Sequence, residues 1–167
     1  MMWLLYCRPW QVKQTGLYKW PTALGRAPDE REYDVLVSSG EQISVSLLSI
    51  VLNGMGHKAI SLLGHQVKIL TDRIYGNARI RSVDTGLISD EMKKGKIVVV
   101  AGFQGVDKEG NITTLGRGGS DTSAVAIAAS LKADFCEIFT DVDGVYTTDP
   151  NLYSKARKIK KYHTMKC

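Results

Sequence analysis

The run Lys96-Ile97-Val98-Val99-Val100-Ala101, bounded by Gly95 and Gly102, constrains this chain more than any other feature. Four consecutive β-branched residues favour a strand over a helix. With no polar residue on either side of the pleat, that strand must be covered on both faces. The segments around it supply the layers. Residues 33–38 read as a short lead. From Ser39-Gly40-Glu41 onward, apolar residues at 43, 45, 47, 48, 50, 51 and 52 predict a largely buried helix that ends at Asn53-Gly54, with Gly54 as its left-handed closing residue. Residues 84–94 form an amphipathic pattern stopped by Gly95, and 120–133 is apolar nearly all round, as in a helix packed inside a layer. Strands are expected at 59–63, 66–70 and 134–140. A hairpin is expected from 103–106 to 112–115 around the turn 107–111. Strands alternating with helices define an α/β protein with helices on both faces of a mainly parallel sheet.

Composition narrows the class. The 167 residues are 44% apolar and carry a net charge of +5, which suits an ordinary globular chain of one domain. No window approaches eighteen consecutive apolar residues, and on that criterion a membrane span is excluded. The start, Met1-Met2-Trp3-Leu4-Leu5-Tyr6-Cys7, lacks a basic region and reaches Arg8-Pro9 too soon for a signal peptide, so a cytoplasmic protein is expected. Cys7, Cys136 and Cys167 form no CxxC pair and no metal set. The positive charge sits at the ends: residues 155–167 hold six bases and no acid, whereas 34–153 is mildly acidic. Without interleaved aromatics or a binding motif, that basic end reads as a solvated face rather than a nucleic-acid patch. All three tryptophans and three of the four prolines fall in residues 1–30, which show neither helical nor strand periodicity. This segment reads as atypical, with residues 31–167 as the domain proper.

The strongest chemical signal is Thr114-Leu115-Gly116-Arg117-Gly118-Gly119-Ser120-Asp121-Thr122, a glycine-rich loop running from a strand into a helix. Glycines let backbone approach an anion, and N–H groups at a helix N-terminus favour negative charge. The loop is neither a P-loop nor a dinucleotide fingerprint. Capping of the helix by Ser120 or Asp121 is the plainer alternative. A second signal runs from Phe139 to Pro150, polar and rich in hydroxyls, at the end of an expected strand where α/β proteins bind ligands. Its spacing does not fit a calcium loop. It suits either a nucleoside or a solvated turn. Third, Glu41 stands at the expected start of a helix, where it favours the dipole. His57, His65 and His163 lack ligand spacing.

In this order the motifs resemble bacterial aspartokinases, members of the amino-acid kinase family. The carrying strings are Ser39-Gly40-Glu41, Val99-Val100-Ala101-Gly102-Phe103-Gln104-Gly105, the 113–122 loop and Thr140-Asp141-Val142-Asp143-Gly144-Val145-Tyr146-Thr147-Thr148-Asp149-Pro150. The resemblance covers about residues 28–162. It implies a three-layer αβα sandwich and transfer of the γ-phosphoryl of ATP, with Mg2+ carried by the nucleotide, to the side-chain carboxylate of L-aspartate. The product would be 4-phospho-L-aspartate, at the entry to lysine, threonine and methionine synthesis. Carried over by position, Glu41 would take the substrate ammonium, Arg117 a carboxylate, and Gly118, Gly119 and Ser120 would line the transfer site. Asp121 would orient catalytic lysines, and Thr140, Asp141, Tyr146 and Asn151 would face the nucleotide. An ionised carboxylate nucleophile needs no base, so catalysis reduces to alignment and charge neutralisation.

The chain departs from the family at both ends. The Lys-Phe/Tyr-Gly-Gly-Thr-Ser and Gly-Ala-Lys-Val-Leu-His strings, each with a catalytic lysine, are not found, Asn151 replaces an arginine, and the regulatory domains are not seen. The expectation is a sheet incomplete at both ends and an inactive fragment of a homo-oligomeric enzyme. If each lost cation costs a few kcal/mol, turnover falls by roughly ten-thousand-fold or more. Two alternatives stand beside this reading. One is a glutamate, carbamate or nucleotide kinase of the same fold. The other is a non-enzymatic nucleotide-binding module that uses Trp3, Trp10 and Trp20 as a contact surface.

Overall fold

The β-branched run forms the strand β5, Ile97–Val100, and it is covered on both faces as its composition demands. The computed structural model describes residues 4–6, 27–139, 147, 148, 153 and 155–157. In chain order the elements are β1 (Leu4–Tyr6), α1 (Glu30–Gly54), β2 (Ala59–Leu62), β3 (Ile69–Thr71), β4 (Ile80–Val83), α2 (Gly86–Lys93), β5, β6 (Gln104–Val106), β7 (Ile112–Thr114) and α3 (Gly119–Leu131). The chain divides into two compact units, residues 1–136 and 137–167.

In the first unit β5 is the middle strand of a parallel three-stranded sheet, β1-β5-β2. Pleating sends alternate side chains to opposite faces. Val98 and Val100 join Leu62, Val67, Ile69, Ile88 of α2 and Ile127 of α3 in one cluster, while Val99 and Ala101 meet Val45 of α1 in another. Helices therefore cover both faces, giving the expected αβα layering, and each buried valine contributes about 1.5–3 kcal/mol. The second sheet, β4-β3-β6-β7, is mixed: β3 pairs with β6 in parallel, and the β3/β4 and β6/β7 pairs are antiparallel. The β6/β7 hairpin turns at Asp107, whose Oδ1 accepts the N–H groups of Glu109 and Asn111 at 2.9 and 2.8 Å.

Several expectations are corrected. α1 begins at Glu30 rather than near Ser39: Asp29 caps it by accepting the Glu32 N–H at 3.1 Å, and Glu30 and Glu32 complement the helix dipole. Glu41 thus lies in mid-helix and is buried rather than standing at the positive end. The left-handed residue after α1 is Gly56, not Gly54. α1 is not largely buried either, because Ile43, Leu47, Ile50 and Val51 are exposed, the first three lining an open depression with Ser39, Gln42 and Ser46. Its length and mean hydropathy would allow it to cross a membrane, contrary to the consecutive-residue criterion. Here it is a core-packing helix, with Asp34, Val37, Ser38, Glu41 and Val45 buried.

The segment 66–70 contributes a strand only from Ile69, since residues 64–68 turn, with Lys68 in the left-handed region. β4, Ile-Arg-Ser-Val, carries no alternating apolar pattern, because neither of its inner residues is buried. α3 is buried on one face, at Gly119, Ser123, Ala124 and Ile127, and exposes Val125. Its many alanines made it look apolar all round, yet they cost little in water. Among residues 134–139 no strand forms, and Phe135 and Phe139 are exposed. Strand propensity becomes a strand only against a paired edge. Within residues 1–30, where no periodicity was found, β1 aligns with β5 as Leu4↔Val98 to Tyr6↔Val100. In the second unit, the Thr147 N–H donates to the Arg157 carbonyl at 3.0 Å and Thr147 Oγ1 accepts the Arg157 N–H at 3.1 Å.

Candidate active site

The glycine-rich loop connects β7 to α3, and its backbone explains its composition. Gly118 is the N-cap of α3 with φ near 70°, in the left-handed region that other residues enter at about 1–2 kcal/mol. Gly119 approaches its neighbours so closely that a Cβ would lie 2.7 Å from Leu115 Cβ and 3.1 Å from the Phe103 ring. Neither Ser120 nor Asp121 caps the helix. The Gly119 N–H donates to the Gly116 carbonyl at 3.0 Å and the Thr122 N–H to the Gly118 carbonyl at 3.0 Å. The N–H groups of Ser120 and Asp121 have no partner among the described residues, as expected of the first helical turn. Two donors and the positive end of a helix dipole are thereby presented at one place.

Charged side chains flank that place. Asp121 is half-buried, and its Oδ1 is shielded from solvent without a hydrogen-bond partner among the described residues. Such a carboxylate oxygen is costly unless a cation or donor comes to it. Arg117 is exposed and makes no ion pair among the described residues. Glu41 is 1% exposed on α1.

One support links Glu41 to the loop. The Gln104 amide donates to the Ser38 carbonyl at 3.1 Å, one turn before Glu41, and Gln42 reaches Gln104 Oε1 at a long 3.4 Å. Phe103, next to Gln104, accepts the Leu115 N–H at 2.9 Å on its carbonyl. Its own N–H donates to Ser123 Oγ at 3.0 Å, and that hydroxyl donates to the Gly119 carbonyl at 2.8 Å. Phe103 itself has φ near 63°, a strained setting for a non-glycine residue that costs about 1–3 kcal/mol. The 103–104 pair therefore braces both the helix turn bearing Glu41 and the loop bearing Arg117, Gly118, Gly119 and Ser120. Thr140, Asp141, Tyr146 and Asn151 lie outside the described residues.

Sequence reasoning missed Ser123 and Asp34. Ser123 reads as one more small residue of an alanine-rich helix. Asp34 sits in the segment taken for a lead, and only the Pro28-Asp29-Glu30 start signal upstream could have placed it on a helix.

A parallel sheet with helices on both faces, and a glycine loop that leads from the mixed sheet into a helix, define the class as a layered α/β fold with a helix N-terminus open to an anion. The chain matches the amino acid kinase family over residues 11–165 and belongs to that family. Among its relatives it is 58% identical over 134 residues to an aspartate kinase of Pseudomonas fluorescens, covering 80% of this chain and 32% of that protein. It is 54% identical over 138 residues to aspartokinase 2 of Bacillus subtilis, covering 83% and 34%. In structure it is similar to Escherichia coli aspartokinase III, solved in complex with aspartate and ADP, with a TM-score of 0.74, 32% identity, and coverage of 87% of this chain and 33% of that one. The chain thus spans about a third of the length of these relatives.

Proposed function

We propose that this chain is the central part of an aspartate kinase catalytic domain, with residues 31–167 as its body and 1–30 as an atypical segment. The reaction is transfer of the γ-phosphoryl of ATP to the side-chain carboxylate of L-aspartate. The observation that carries the reading is the loop opening α3: a left-handed Gly118, N–H groups on Ser120 and Asp121 without a partner among the described residues, and beside them an Arg117 with no ion pair among the described residues. Its support is the aspartate-and-ADP complex of the similar E. coli enzyme and the names of the relatives.

In this reading Arg117 holds a substrate carboxylate, and Glu41 takes the ammonium group. Gly118, Gly119 and Ser120 line the path of the phosphoryl group with backbone donors, which act without reorganisation when charge develops. The attacking carboxylate is already ionised at neutral pH, so no side chain removes a proton. Asp121 fixes a cationic group near the transferring phosphoryl through Oδ1, which has no partner among the described residues. Thr140, Asp141, Tyr146 and Asn151 contact the nucleotide, and Mg2+ arrives bound to it. The reaction belongs in the cytoplasm, where both substrates are abundant, and the parent enzyme is a homo-oligomer.

Because the family's two lysine-bearing strings are not found in the sequence, the 167-residue chain is expected to bind substrate without turning it over. A hydroxamate assay for aspartyl phosphate, run beside calorimetric titration with MgADP and with L-aspartate, tests this. Binding with no product supports the reading. Phosphorylation of glutamate or carbamate in place of aspartate overturns it.

A further inference from the structure

Asp34 is fully buried in the helix that carries Glu41, and nothing in the proposed reaction uses it. Its Oδ1 accepts the Thr114 hydroxyl at 2.8 Å and the Gly76 N–H at 3.0 Å. Its Oδ2 accepts the Thr114 N–H at 2.8 Å and shares the Gly76 N–H at 3.0 Å. Every donor is neutral. A carboxylate suits this place because it offers two acceptor oxygens and no competing donor to N–H and O–H groups converging from different segments.

The segments it joins matter. Thr114 ends β7 and immediately precedes the glycine-rich loop, whereas Gly76 lies in the turn between β3 and β4. The loop leans on that same turn: a Cβ at Gly116 would stand 3.0 Å from the Gly76 carbonyl oxygen and 3.2 Å from Asn77 Oδ1. The Ala78 N–H closes the contact by donating to the Thr114 carbonyl at 2.8 Å. The Gly116 carbonyl in turn receives the first N–H of α3, from Gly119, at 3.0 Å. A continuous set of bonds and contacts thus runs from Asp34 through Thr114 and the Gly76 turn to the start of α3.

We propose that Asp34 is the positioning residue of the glycine-rich loop: by locking Thr114 against the Gly76 turn, its carboxylate sets where Arg117 and Gly118 stand, and so how tightly the loop holds an anionic substrate. The choice of L-aspartate as that substrate rests on the function proposed above. Asp34 touches no reacting atom. It acts through the backbone.

The test uses the full chain and the variants Thr114→Val, which deletes the hydroxyl that Asp34 accepts, and Thr114→Ser, which restores it. L-aspartate affinity is measured by calorimetry, and amide exchange is followed at 115–119 and, as a control, at 97–100. Losing one charge-assisted hydrogen bond is expected to weaken aspartate binding about tenfold in Thr114→Val and to speed exchange in the loop by about the same factor. Exchange in β5 stays unchanged, and Thr114→Ser returns both readings to within about twofold of the unaltered chain. A lowered melting temperature with unchanged affinity and unchanged loop exchange overturns the proposal, because a purely structural bond would behave that way. Should Thr114→Val fail to fold, Asp34→Asn keeps the side-chain volume and carries the same two measurements. If the unaltered chain binds no L-aspartate while loop exchange still responds to the variants, the clamp stands and the substrate assignment fails.

Discussion

Asp34 and Asp121 are both shielded carboxylates within reach of one loop, and they are treated in opposite ways. The first has its oxygens filled by Gly76 and Thr114, whereas the second keeps Oδ1 out of water without a partner among the described residues. A satisfied buried carboxylate stiffens its surroundings. An unsatisfied one lowers stability and is retained where something else needs the charge. In the function proposed above, the two ends of the same loop thus separate a clamp from a receptor.

The largest expected effect that sharpens this contrast comes from removing the clamp. Asp34→Ala strands the buried N–H and O–H donors of Thr114, at about 1–3 kcal/mol for each unsatisfied group, and takes the acceptor from the part-buried Gly76 N–H, so urea unfolding is expected to lose roughly 2–6 kcal/mol. Asp121→Asn is expected to leave stability within about 1 kcal/mol or to raise it, since it removes the charge from a carboxylate whose shielded Oδ1 has no partner among the described residues. Equal losses at the two sites would break the comparison. Next in size is Gly119→Ala, whose methyl group has to displace Leu115 or the Phe103 ring, for about 1–3 kcal/mol. Ser123→Ala takes the acceptor from the Phe103 N–H and is expected to cost about 1–2 kcal/mol in the same unfolding measurement.

The smallest expected effect lies away from the loop and concerns pH. Hydrogen bonds from Lys94 first, then Lys96, hold the Glu91 carboxyl below its ordinary value. A depressed carboxylate adds stability that is complete above the ordinary glutamate range and is lost as pH falls through the lowered value. Thermal melts from pH 7 down to pH 3 should therefore fall more shallowly for Glu91→Gln than for the unaltered chain. Parallel curves would show that the three groups are no more coupled folded than unfolded.

What the sequence made legible follows the range of the interactions. β5, the β6/β7 hairpin, α2 and the glycine loop are written in local chemistry: a β-branched run, an Asp-Lys-Glu-Gly-Asn turn, a Gly95 stop and three closely spaced glycines. The start of α1 is also local, in Asp29 and its acidic first turn, but the Ser39-Gly40 pair offers a second start signal within the same helix. Other features depend on distant partners. Whether 134–139 pairs is decided by an available sheet edge, and the burial of Asp34 by two segments far along the chain. The exposed side of α1, at Ile43, Leu47, Ile50 and Val51, could not be told from its buried side because both are apolar. For the candidate site, the loop is legible through its glycines and Glu41 only through the family resemblance, whereas the braces at Ser123 and Asp34 emerge only from three-dimensional hydrogen bonding.

The central claim is that the loop opening α3 receives an amino-dicarboxylate through Arg117. Titration of L-aspartate into the chain and its Arg117→Ala variant, with melting temperatures measured alongside, addresses it directly. The account predicts saturable binding that weakens at least about tenfold in the variant at an unchanged melting temperature, since an exposed arginine with no ion pair among the described residues contributes little to folding. Equal affinity in the two proteins would contradict it.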